Sequence, residues 1–147
     1  MRLLFVATLI AAAAFPLNAR ASVSVAGGGL AQSNPAHSGA AVIVSTGASV
    51  PQVPLEVQSS LLASVNGQGG FAATAEIRGF TGGGYGGAYV GAGAGLANLS
   101  SDRSTGTVFD VFAGKSIAPV ASLELRLYKQ TRDNGFTSGF FGLRFTF

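Results

Sequence analysis

The 147-residue chain has no cysteine and no tryptophan, a single histidine and only 10% charged residues, and beyond Phe15 no apolar run is long enough to cross a membrane as a helix. Without cysteine there can be no disulfide and no thiolate metal site, and one histidine cannot supply a metal centre. The scarcity of charge argues against an ordinary soluble domain, in which about 25% of residues are charged. A spanning helix needs ~20 apolar residues, so the body of the chain does not enter lipid in that form. The formal charge of +3 falls to +1 if Arg2 and Arg20 are lost with a leader, which leaves no electrostatic basis for binding nucleic acid.

Arg2 followed by the apolar stretch Leu3 to Phe15, then Pro16 and Ala19-Arg20-Ala21, has the order of a secretory signal: a positive start, a short apolar core and a small-x-small cleavage site. The expectation is cleavage after Ala21, leaving one domain over 22–147. No linker divides that stretch.

What is abundant is glycine, with 22 residues, and phenylalanine, with 11. An apolar chain without spanning helices has one other route into lipid, a closed barrel whose backbone polar groups pair between strands. Two-residue alternation recurs in segments bounded by Gly, Pro, Asn and Ser clusters, at about 22–30, 40–47, 53–65, 70–80, 85–99, 106–115, 121–130 and 136–147. Tight Pro- or Gly-marked turns are expected at 48–52, 81–84 and 116–120. The connections at 31–39, 66–69, 100–105 and 131–135 read as mostly longer, polar loops. Short turns on one rim and loops on the other suit a barrel with its turns and both termini on the periplasmic side.

Successive side chains point to opposite faces of a strand. Leu123, Leu125 and Leu127 therefore oppose Glu124, Arg126 and Tyr128, and Phe141, Leu143, Phe145 and Phe147 oppose Gly142, Arg144 and Thr146. Leu55, Val57 and Leu61 oppose Glu56 and Gln58; Phe71, Ala73, Ala75 and Ile77 oppose Thr74, Glu76 and Arg78; Phe109 and Val111 oppose Asp110. Alternation alone fits a soluble sandwich as well as a membrane barrel. The polar face, however, carries Gly87, Gly91, Gly93 and Gly95 rather than Lys and Glu, which suits a narrow interior better than a wet surface.

The ending Gly139-Phe140-Phe141-Gly142-Leu143-Arg144-Phe145-Thr146-Phe147 resembles the carboxy-terminal signal of outer-membrane β-barrel proteins. Ala88 to Leu96, Phe109 to Gly114 and Leu123 to Tyr128 are similar to the later strands of small eight-stranded barrels of the opacity-protein and outer-membrane-protein-A type. The likeness spans about the last sixty residues, and the first two strands depart from it. It implies an all-β, closed, antiparallel up-and-down transmembrane barrel of eight strands in a bacterial outer membrane. It also implies insertion by the barrel-assembly machinery, which would read Phe141, Leu143, Phe145 and Phe147.

Threading eight strands puts Glu56, Glu76, Arg78, Glu124, Arg126 and Arg144 towards the periplasmic half of the lumen, with Asp110 nearer its middle. Eight strands enclose a space just wide enough for side chains, so these groups are expected to pair into an ionic plug. Three alternatives stand beside a structural or surface-interaction barrel. A channel or ligand-holding barrel would use a Gly-lined upper lumen with Tyr89 and Tyr128. A lipid-modifying hydrolase would need His37, beside Ser38 in the first polar loop, brought to a serine and an acid. A soluble periplasmic β-domain is the third. The clusters 82–87 and 91–95 open onto strands rather than a helix, so no phosphate cradle is implied. Neither a cofactor nor catalysis is expected; the expected surroundings are outer-membrane lipid, with the protein a monomer.

Overall fold

The computed structural model describes residues 20–33, 36–65, 70–81, 87–99, 104–131 and 137–147. Eight strands follow one another in chain order: β1 (Ala21–Ser33), β2 (Ala36–Ser49), β3 (Leu55–Ser64), β4 (Phe71–Phe80), β5 (Ala88–Asn98), β6 (Gly106–Ala118), β7 (Ala121–Gln130) and β8 (Thr137–Thr146). Each pairs antiparallel with its neighbours, and β1 pairs with β8, so the sheet is a closed up-and-down barrel. Closure satisfies the backbone of every strand from its neighbours, the condition a sheet must meet inside hydrocarbon.

Ser24 to Gln32 of β1 run opposite Thr146 to Ser138 of β8. Glycine makes the closing seam tight. A Cβ on Gly28 would enter the backbone of Phe141 and Gly142, and one on Gly142 would meet the Gly27 carbonyl and the Phe140 ring. The glycines that weaken the amphipathic signal of the first strand thus allow the ring to close. At the rim carrying both termini, β2 and β3 are joined through Val50-Pro51-Gln52-Val53, in which the Val53 N–H reaches the Val50 carbonyl and Gln52 takes φ 67°. Proline presets the second turn position, while the third demands a positive φ that glycine adopts more easily than glutamine.

The first pair of strands is longer than the alternation indicates. Ser33 pairs with Ala36, so the expected loop over 31–39 is mostly strand and only 34–35 lie between β1 and β2. Ala, Gly and Ser alternate too weakly in hydropathy to mark this stretch as a hairpin. His37 consequently lies on β2, in register with Gln32, and not in a loop. β5 begins at Ala88, later than the expected 85, and most of the turn expected at 81–84 lies outside the described residues; β6 runs past the expected 115 to Ala118 with a register shift between Ser116 and Ala118.

The faces divide by parity. Val25, Leu61, Ile77, Phe109, Val111, Leu125, Leu127, Phe141 and Phe145 stand exposed on the outer wall. Inside, the half of the lumen away from the termini holds a buried apolar cluster that includes Leu30, Ile43, Leu62, Val108, Tyr128 and Phe140. The charges run from the terminal rim to the middle of the bore, where Asp110 is level with Tyr128 and Arg126 with Phe140. Lys115 and Lys129 face outward towards the strand ends, where a long stem can carry an ammonium to the interface.

Candidate functional site

Glu124 and Arg126 alternate with Leu123, Leu125 and Leu127 on β7, and the same two-residue period aims Asp110 from β6, Glu76 and Arg78 from β4, Glu56 from β3 and Arg144 from β8 into the bore. All seven charged residues are buried. Arg126 occupies the centre. Its Nη1 donates to Asp110 Oδ2 at 2.9 Å and also to Glu76, its Nη2 donates to Glu76 Oε2 at 3.1 Å, and its Nε donates to Glu124 Oε1 at 3.2 Å. The Phe112 ring lies 4.2 Å from the guanidinium carbon and the Tyr128 ring 5.9 Å from it. One planar cation thus engages three carboxylates and two aromatic faces, a geometry open to arginine and not to lysine.

The network spreads from there. Arg144 Nη2 donates to Glu124 Oε1 at 2.8 Å, and its Nη1 reaches Ser24 and, at 3.1 Å, Ser45, which is 2.8 Å from Ser60. Gln58 and Thr74 donate to the Glu76 carboxylate. Nearer the termini, Arg78 Nη2 donates to Glu56 Oε2 at 2.7 Å, and Ser22 donates to the same carboxylate. The Arg78 guanidinium lies 5.0 Å from the Phe80 ring centre and 5.1 Å from that of Tyr89. Tyr89 joins the two groups, since its hydroxyl donates to Glu124 Oε2 at 2.8 Å and lies 3.2 Å from Ser122.

The structure therefore brings Glu76, Asp110, Glu124, Arg126 and Arg144 into one continuous cluster and sets Glu56 and Arg78 apart as a pair. Four carboxylates face three guanidiniums. Asp110 Oδ1 and Arg78 Nε are buried without a hydrogen-bond partner among the described residues. Gln58, Thr74 and Tyr128 lie on the inward face that alternation assigns them. Phe112, Ser24 and Ser45 were not singled out; Phe112 shares the inward parity of Asp110, and both serines lie on inward positions of β1 and β2, so parity was the signal that could have found them.

Two of the bore's glycines, Gly91 and Gly114, sit in the half nearer the termini, level with Arg78 and Tyr89. A Cβ on Gly91 or Gly114 would strike the ring of Phe112 or Tyr89, so the glycines make room for aromatic side chains that fill the bore. Tyr89 lies at the other end from the one expected, bordering a cavity of about 110 Å³ at the rim of the termini along with Ser22, Arg78, Phe80, Ser122 and Thr146. Tyr128 is in the apolar cluster beyond Arg126. The side chain of His37 and residue Ala19 fall outside the described residues, and Ala21 opens β1. Phe141, Leu143 and Phe145 project outward from β8, and Phe147 follows the strand end.

An ionic interior, an apolar outer wall and no sheet edge invert the soluble pattern and define a transmembrane β-barrel. Solved structures of that class share the fold. The crystal structure of Neisserial surface protein A aligns with a TM-score of 0.63 over 88% of this chain and 99% of that one, at 16% identity. The N-terminal β-barrel domain of Pseudomonas aeruginosa OprF aligns at 0.56, over 88% of this chain and all of that one, at 18% identity. Ail, the attachment invasion locus protein of Yersinia pestis, crystallised with the heparin analogue sucrose octasulfate, aligns at 0.57 over 87% and 99%, at 12% identity. The architecture is that of small bacterial outer-membrane barrels. No protein-family profile and no curated protein sequence matches the chain.

Proposed function

We propose that the protein is a non-catalytic integral outer-membrane barrel, structural or surface-interacting in role, whose lumen does not conduct. The observation that carries this reading is the seating of Arg126 among Glu76, Asp110 and Glu124 across the middle of the bore. The apolar cluster containing Leu62, Val108 and Phe140 fills the bore beyond it. An ion would have to part a guanidinium from its carboxylates in a low-dielectric space and then cross a dry apolar segment, each a steep electrostatic cost. Planar-bilayer recording tests this: the reading expects silence, and discrete conductance steps would overturn it.

In the same reading, residues 1–21 are an export signal removed after Ala21, the Phe141, Leu143, Phe145 and Phe147 stripe is read by the assembly machinery, and the barrel is a monomer bathed in outer-membrane lipid. The outward position of three of those four side chains on the closing strand supports the assembly role. Truncation of Phe147 should then lower the yield of folded barrel in the outer membrane while leaving export intact.

A further inference from the structure

At the mouth away from the termini, three hydrogen bonds converge on the chain leaving β5 and entering β6. Gln32 Nε2 donates to the Leu99 carbonyl at 3.1 Å. The Leu99 N–H donates to Gln130 Oε1 at 3.3 Å, and Gln130 Nε2 donates to the Ser104 carbonyl at 3.2 Å. Gln32 is on β1, and in a ring of eight strands β1 stands opposite β5. A bond between the Gln32 side chain and the residue just after β5 therefore means that Leu99 has been drawn across the opening. Its side chain is 3% exposed and belongs to the same apolar cluster as Leu30, Val108 and Phe140. Leu99 keeps the inward parity of Tyr89 and Ala97 on β5, and the bond from Gln32 holds it over the bore from the far wall.

We propose that Leu99 is a stopper for this mouth and that Gln32 and Gln130 are its latch. Both glutamines serve because an amide offers a donor and an acceptor. Gln130 uses one of each to hold Leu99 and Ser104 together, and Gln32 fixes the Leu99 carbonyl. Release of the latch would bare the apolar end of the lumen down to Tyr128 without disturbing the ion pairs around Arg126. This closure deepens the non-conducting reading but is separable from it.

The chain has no cysteine, so a single reporter can be placed. Val108→Cys is a small change at a position with no exposure in the stoppered cluster. Thr131→Cys, at an exposed position on the same rim, serves as reference. With folded protein in lipid vesicles and a water-soluble maleimide, V108C should label about 100-fold more slowly than T131C, since reaction must await local opening. Adding Gln130→Ala should raise the V108C rate about tenfold, because two bonds are lost and the buried Leu99 N–H is stranded. If that variant fails to fold, Gln32→Ala, which deletes one bond from a half-buried side chain, should raise it by a smaller factor. Fast labelling of V108C with the latch intact, or unchanged protection in folded latch variants, overturns the proposal. Conductance of the latch variants is expected to stay silent because Arg126 lies below. A conducting parent protein would sink the non-conducting reading and leave the labelling result to judge the latch.

Discussion

Arg126 Nη1 lies 2.9 Å from Asp110 Oδ2, on the neighbouring strand, and neither side chain reaches solvent. Removing either partner of such a pair leaves a charge with nowhere to go. Arg126→Leu strands Glu76 and Asp110 and part of Glu124, and should cost about 3–5 kcal/mol. The midpoint of unfolding in urea, followed by gel mobility of unheated samples, measures it.

The three arginines should rank by what their loss exposes. Arg144→Leu removes one of two cations on Glu124 and leaves Ser24 and Ser45 without their guanidinium, so it should cost less than Arg126→Leu. Arg78→Leu unpairs Glu56, which borders the cavity at the terminal rim and can recover water, so it should cost least. Unfolding midpoints of the three variants, measured side by side, check the order.

Glycine substitutions should split by face. Gly114→Ala pushes a methyl into the Tyr89 ring and should cost about 1–3 kcal/mol by overpacking. Gly27→Ala meets nothing within 4 Å and should be neutral or stabilising by about 0.5–1 kcal/mol, because alanine loses less entropy in a strand. Thermal unfolding of the two variants makes the comparison.

The β2–β3 turn holds a correctable strain. Gln52 has φ 67°, and Gln52→Gly should stabilise the barrel by about 1 kcal/mol at most. A raised urea midpoint with an unchanged slope would register it.

Much of this architecture was legible because a barrel wall obeys a period of two. β7 is found over the same ten residues that its alternation marks, Ala121–Gln130, and parity put the seven charges on the face opposite the apolar stripes, the face that burial shows to be the lumen once the glycine-rich polar side is taken as the interior. Partnerships were not legible. Which carboxylate meets Arg126 depends on the stagger between strands, and Glu76, from β4, reaches it across the bore from a strand three removed in the ring. The β1–β2 hairpin was hidden because Gly, Ala and Ser give little contrast between faces. The apolar filling beyond Arg126 escaped notice for a related reason: Leu30, Leu62 and Val108 are inward residues, and a pattern that equates apolar with outward discards them. Leu99 escaped because its backbone partners, Gln32 and Gln130, are distant in sequence and unremarkable alone.

In a barrel that spans a bilayer, acyl chains surround the leucine and phenylalanine wall. Since the chain has no tryptophan, Leu125→Trp places one fluorophore on that wall, and Tyr128→Trp places one in the lumen from the same strand. In vesicles of brominated phospholipid, emission from L125W should be strongly quenched and insensitive to aqueous iodide, while Y128W should be little affected by either. Quenching of L125W by iodide and not by brominated chains would contradict the account.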